Sequence, residues 1–375
     1  MRRIVFITAI VLSILLLSLF TPLCAHAYEE SAEDLLLDKI DVTAVENAAG
    51  DTTKELGGVT KIASNTSGKL NELVDKAVSA LPAILRTGVK NAAVILVISI
   101  FCGLADTLFR GGTSRSVPDT VSMAGCLAIT AFALTDMDSC LSVGKKSIEQ
   151  LCIFSKAVLP TLSSVAALGG YAVSSGVKYA ASALFLDLLL TLSENVIVPL
   201  IYAYTATIVA ECAFGGNSLS GISAFLKWLT TTVMTVVVLA FIFYLSISGI
   251  VSGTADAANI RLAKTTLSST LPVVGGIVSD AASSVLTAAS SLKSSIGIFG
   301  MLSVVAICLI PFLRIGVSYL LFKAASRLIM IFSSGRIPKL TSGLGSAFGL
   351  IVSMTGVCAI MTFFSLLSLI KTTGV

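Results

Sequence analysis

The sequence predicts an all-α fold: a polytopic membrane bundle of about six full spans plus two re-entrant or buried helical hairpins. Three observations carry this. Across 375 residues, 55% are hydrophobic and only 12% charged, about half the charge that coats a soluble domain. Apolar runs recur at lengths that suit a bilayer. Between them lie two stretches rich in small residues and broken by proline and paired glycine. The net charge of +4 is spread thinly and forms no basic patch, which argues against a cytosolic enzyme and against nucleic acid as a partner.

Arg2-Arg3, the apolar run Ile4–Phe20 and the A-x-A pattern Ala25-His26-Ala27 read as a secretory leader cleaved after Ala27. Residues 1–27 are therefore a signal peptide. Residues 28–89 carry 11 of the 21 acidic residues against six basic ones and read as an exported acidic segment. The stripe Leu70, Leu73, Val74, Ala77, Val78 and Leu81 makes its last helix amphipathic, suited to the membrane surface. The polytopic membrane domain is 90–375.

Runs at about 90–109, 117–137, 194–214, 225–251, 297–322 and 340–370 are each near the roughly 20 residues a span needs. Arg110 and Arg115 follow the first; Lys323, Arg327, Arg336 and Lys339 follow the fifth. Positive residues favour the cytoplasmic side, so both loops are expected there. Both termini of the mature chain are then extracytoplasmic.

The intervening stretches are expected to form hairpins at about 148–192 and 260–296. The first has Leu159-Pro160 and Gly169-Gly170 as its breaks, the second Leu271-Pro272 and Gly275-Gly276, and seven serines fall between Ser279 and Ser295. Proline and glycine pairs expose peptide groups, which a membrane interior tolerates only against protein or water. An offset of 112 residues carries Pro160 onto Pro272, Pro199 onto Pro311 and the 225–251 run onto 337–363. This suggests an internal repeat, a pattern common in transporters and channels. The spacings Gly249/Gly253 and Gly345/Gly349 allow close helix approach.

Intramembrane charges are costly and often functional; Asp187, Glu194 and Arg314 are the candidate polar residues, with Lys178 a potential partner of Asp187. His26 is the single histidine, so the mature chain lacks the commonest base and metal ligand. The eight cysteines form no C-x-x-C pair and read mostly as small hydrophobes rather than a disulfide framework. No P-loop or H-E-x-x-H motif occurs. No catalytic, cofactor or metal residue is assigned, and the chain is not expected to be an enzyme.

The run Gly253-Thr-Ala-Asp256-Ala-Ala-Asn-Ile-Arg261-Leu-Ala-Lys264, followed by Leu271-Pro272-Val-Val-Gly275, Ser279-Asp280 and Gly297-Ile-Phe-Gly300, is similar to the stage III sporulation protein AE family. The resemblance implies a multi-pass subunit of the mother-cell membrane around the forespore. There it would belong to a channel or export apparatus that supports endospore development. It also implies partners: ring-forming sibling proteins, a cytoplasmic secretion-type ATPase, and a forespore-side protein across the intermembrane space. Membrane lipid is a further partner, and a homo-oligomer is among the assemblies this allows. The residues alone leave a second reading, a stand-alone secondary transporter of a small solute.

Overall fold

The computed structural model describes residues 42–49, 66–110, 116–214, 219–270, 275–332 and 336–371. Ala25, Ala27, Leu271 and Pro272 lie outside the described residues. So do the side chains of Gly249 and Gly253. The fold is all-helical, with no strand among the described residues. A short α1 (Val42–Ala48) precedes α2 (Thr66–Arg110), α3 (Ser116–Leu168), α4 (Ala172–Leu192), a π-helical turn (Ser193–Ile197) and α5 (Val198–Phe214). There follow α6 (Ser220–Thr270), α7 (Gly275–Phe332) and α8 (Arg336–Ile370).

Six segments are long and apolar enough to cross a membrane: Gly68–Ala105, Thr120–Leu168, Ala172–Ala213, Ser220–Ser248, Leu286–Phe332 and Arg336–Ile370. Each overlaps one predicted span, but the helices run much further. At about 1.5 Å per residue, the 53 residues of α3 extend about 80 Å, against about 30 Å of hydrocarbon.

The expected hairpins are consequently not separate elements. Their arms are the continuations of spans: residues 148–168 belong to α3, and the return through α4 runs on into α5. Likewise 260–270 closes α6 and 275–296 opens α7, with Gly275-Gly276 inside the first turn of α7. Leu159-Pro160 is not a break, because Pro160 lies within α3. A proline removes the donor that would pair with the carbonyl four residues earlier, here Lys156 O, and membrane helices tolerate such a loss. The nearby hydroxyls pair with other carbonyls, Thr161 Oγ1 donating to Ala157 O at 2.9 Å and Ser164 Oγ to Pro160 O at 2.9 Å. Pro82 and Pro311 are also inside helices. With Pro160 helical and Leu271-Pro272 undescribed, the 112-residue repeat gains no support.

The break that does form is Gly169-Gly170. Gly170 adopts φ 88°, a left-handed conformation that a side chain disfavours, and Tyr171 N closes the turn on Ala166 O at 3.0 Å. Between α4 and α5 the chain instead stays helical through a π-turn, in which Val198 N reaches back five residues to Ser193 O. Pro199 follows at once and has no N–H of its own to continue the regular ladder.

The bundle is organised on α8, whose side chains are buried from Ile337 to Leu369. Helix α7 descends antiparallel along it: Gly300 lies at Leu366, Phe312 at Gly356, Tyr319 at Gly349, and Phe322 at Gly345. A Cβ at Gly349 would stand 3.0 Å from the Tyr319 ring, and one at Gly345 3.3 Å from Phe322 Cβ, so the Gly345/Gly349 spacing is used for close approach as its pattern predicts. The rings of Phe322 and Phe348 pack at 4.6 Å between centroids. Helix α5 approaches the other side, with Cys212 Sγ 3.6 Å from Arg336 O, and α3 lays Gly144 against Ile351 and Thr355. Cys126 and Cys212 form a disulfide between α3 and α5, Cα–Cα 6.4 Å, where the sequence analysis expected apolar thiols. The remaining described cysteines, 102, 140, 152, 308 and 358, are free.

Two substitutions test this packing. Gly349→Leu drives a side chain into Tyr319 and is expected to destabilise by about 1–3 kcal/mol. Gly221→Leu, with nothing within 4 Å of its Cβ position, should change stability by less than about 0.5 kcal/mol. Thermal unfolding of the two variants in detergent distinguishes them.

Candidate functional site

Helix ends inside a protein leave N–H and C=O groups without intrahelical partners. At the Ile370 end of the bundle, two such ends are satisfied by buried charges from other helices. After the Gly169-Gly170 turn, Tyr171 precedes α4 without a side-chain cap. The cap comes instead from α6: Val173 N donates to Asp256 Oδ1 at 3.0 Å and Ser174 N to Asp256 Oδ2 at 2.9 Å. Asp256 is 1% exposed. A carboxylate at a helix N-terminus meets both the free amides and the positive end of the macrodipole.

The complementary device caps α8. Lys178, buried on α4, donates through Nζ to Ser368 O at 3.0 Å, one of the last carbonyls of α8 and the negative end of its dipole. Asp256 attracts Lys178 across the site. A second lysine, Lys293 of α7, is 2% exposed, and its Nζ has no hydrogen-bond partner among the described residues. Its ammonium stands 5.8 Å from the centroid of the Tyr171 ring, within cation–π range, and is repelled by Lys178. Four helices and the α3–α4 turn therefore meet at one buried group of two cations and one anion.

The three residues singled out from sequence do not assemble into a site. Asp187 pairs with Lys156 at 2.9 Å, and both side chains are more than half exposed. Such a pair contributes at most about 1 kcal/mol. Lys178, the alternative partner, is committed to Ser368. Glu194 is exposed in the π-turn. Arg314, also exposed, donates to Ser139 Oγ at 2.8 Å and lies within the field of Asp136. Among the described residues, the Gly169-Gly170 break belongs to the buried group, because the turn presents Tyr171 and the start of α4 to Asp256. Asp256 stands out in the sequence as part of the family stretch but not as a helix cap, and Lys293 does not stand out. The available signal was a lone charge within a run of small residues, Ala255-Asp256-Ala257 and Ser291-Leu292-Lys293-Ser294.

No nucleophile–base pair is built here. Among the described residues, no three His, Cys, Asp or Glu side chains gather closely enough to hold a metal ion. What the arrangement does physically is join the ends of separate helices through charges that lose their partners if those ends separate.

The family model described as stage III sporulation protein AE matches residues 57–373, including every helix from α2 to α8. The chain belongs to that family. Its membership in the stage III sporulation protein AE family covers both the Asp256 stretch and the turn that Asp256 caps. A relative, stage III sporulation protein AE of Bacillus subtilis (strain 168), is 20% identical over 277 residues, covering 74% of this chain and 69% of the relative. No solved structure gives a significant match.

Asp256→Ala removes the acceptor for two buried amides and is expected to cost about 1–3 kcal/mol. It should also speed hydrogen exchange at Val173 and Ser174. Lys156→Gln, breaking the exposed pair, should lower stability by less than about 1 kcal/mol and leave those amides protected.

Proposed function

We propose that this chain is a polytopic component of the mother-cell-to-forespore channel or export apparatus required for endospore development, acting as a gate-like or channel-forming subunit. The observation that carries the reading is the family match across 57–373. Geometry supports it in a specific way. Long helices end in a turn held by Asp256, Lys178 and Lys293, so movement of the α3–α4 tip relative to α6 and α8 is coupled to breaking buried charge contacts. Breaking contacts of this kind is what opening a gate at this end would require.

In this reading the protein sits in the mother-cell membrane. The Arg336 end, with Lys227, Lys323, Arg327 and Lys339 near it, faces the cytoplasm under the positive-inside rule. The Ile370 end, with the Gly169-Gly170 turn, faces the intermembrane space, as does the exported segment beyond the cleaved leader. Ring-forming siblings and a forespore-side protein would meet it there, and a secretion-type ATPase would serve it from the cytoplasm. The chain acts by assembly and passage, not by bond chemistry. A stand-alone transporter would need an ion site near Asp187, Glu194 or Arg314, and those exposed side chains offer no enclosed one.

The test is made in a sporulating host that carries this chain in place of its own family member. Asp256→Ala and Lys178→Gln are expected to lower heat-resistant spore counts, whereas Asp187→Asn is expected to leave them unchanged. A tagged chain should co-purify with the ring proteins and the ATPase. A chain that purifies alone, and that by itself takes up a small solute in liposomes, would overturn the proposal. For orientation, Gly176→Cys, exposed at the Ile370 end, should react with an impermeant thiol reagent from outside, and Gly221→Cys should not; the opposite pattern inverts the topology.

A further inference from the structure

At the opposite end of the bundle, a cavity of about 500 Å³ lies among α5, α6, α7 and α8. Its polar wall is Tyr204, Glu211, Ser223, Lys339, Ser342 and Ser346. Behind that wall, Lys323 of α7 places its ammonium against α8, donating to Ser342 O at 2.7 Å, Ser342 Oγ at 3.2 Å and Ser346 Oγ at 2.7 Å. Lys227 and Arg327 lie close enough to Lys323 to repel it. Glu211, 7% exposed, is paired with Lys339. Lys227, Lys323 and Arg327 thus form a basic cluster behind the cavity wall, while the carboxylate in the wall, Glu211, is already neutralised by Lys339.

The surroundings indicate where a compensating anion comes from. Met330 lines the cavity and is 50% exposed, so the wall is continuous with the outer surface of α7, where Ile331 and Phe332 are exposed. On α6, Ile222, Phe225 and Trp228 are exposed beside Ser223, and the Phe225 and Trp228 rings stand 5.9 Å apart. Indole and phenyl groups at one end of a hydrophobic helix favour the level of lipid head groups. Basic pockets between membrane helices suit anionic head groups, and serine and tyrosine hydroxyls supply donors that a phosphate accepts.

We propose that this cavity binds the phosphate of an anionic phospholipid, with its acyl chains lying along the exposed apolar faces of α6 and α7. Ser342 supplies a hydroxyl donor, and the basic cluster of Lys227, Lys323 and Arg327 behind the wall supplies the field that attracts the phosphate. The lipid lies between α6 and α8, so it stabilises their contact at this end. This inference does not depend on the sporulation role.

The test uses the full-length chain in detergent, supplied with equal amounts of phosphatidylglycerol and phosphatidylcholine, with retained lipid measured by native mass spectrometry. Retention of phosphatidylglycerol is expected to exceed that of phosphatidylcholine by about tenfold or more. Lys323→Gln should abolish the preference. Lys227→Gln, which leaves the Lys323 anchor on α8 untouched, and Ser342→Ala, which leaves Lys323 its contacts with Ser342 O and Ser346 Oγ, should each reduce it, whereas Lys146→Gln, exposed on α3, should not. Equal retention of the two lipids, or a preference unchanged in Lys227→Gln and Ser342→Ala, overturns the proposal. Full displacement by soluble glycerol phosphate would assign the cavity to free phosphate and overturn the lipid assignment.

Discussion

Every peptide group within the membrane has to find its hydrogen-bond partner without bulk water, and much of the architecture follows from that requirement. In hydrocarbon, an unpaired N–H or C=O costs several kcal/mol. Continuing a helix is therefore easier than stopping one, and α3, α6 and α7 run for 53, 51 and 58 residues through prolines and serine-rich tracts. Where the chain does stop, partners must be brought from elsewhere. The start of α4 takes Asp256, and the end of α8 takes Lys178.

Packing then depends on how closely helices can approach, because lipid offers apolar side chains no worse an environment than the protein interior does. Small residues along α7 and α8 let Phe322, Tyr319 and Phe312 press against glycine backbone, and α8 is buried along nearly its whole length. Charges are segregated by this arrangement. One end carries the Asp256, Lys178 and Lys293 group, and the other carries the basic cavity around Lys323. If the first is a gate contact and the second a lipid site, the same helices, α6 and α8, connect them. Lipid at one end and partner proteins at the other would then bias one shared helix pair.

Much of this was legible from residues. Six apolar runs located the six spans. Gly345/Gly349 marked a close helix contact, and Gly169-Gly170 marked a turn. Pro160 misled because a proline signals one missing backbone donor, a loss that a long membrane helix can absorb without ending. Asp187 and Arg314 drew attention as charges in apolar surroundings, yet both proved exposed, since depth in a sequence run does not tell which face of a helix a residue occupies. The capping role of Asp256 and the burial of Lys293 were not legible, because both lie in small-residue tracts where hydropathy marks neither.

The sequence by itself determined that the chain is helical, membrane-spanning and a member of its family. Those properties rest on composition, on hydropathy summed over a span, and on residue order, all of which are local. Only the tertiary structure decided which helix ends meet, that Asp256 reaches a turn more than eighty residues earlier in the chain, that Cys126 faces Cys212, and that cations from α6 and α7 cluster behind the wall of one cavity. These are matters of helix rotation and register. A single residue's shift turns a side chain by about 100°, and nothing in the linear pattern records it.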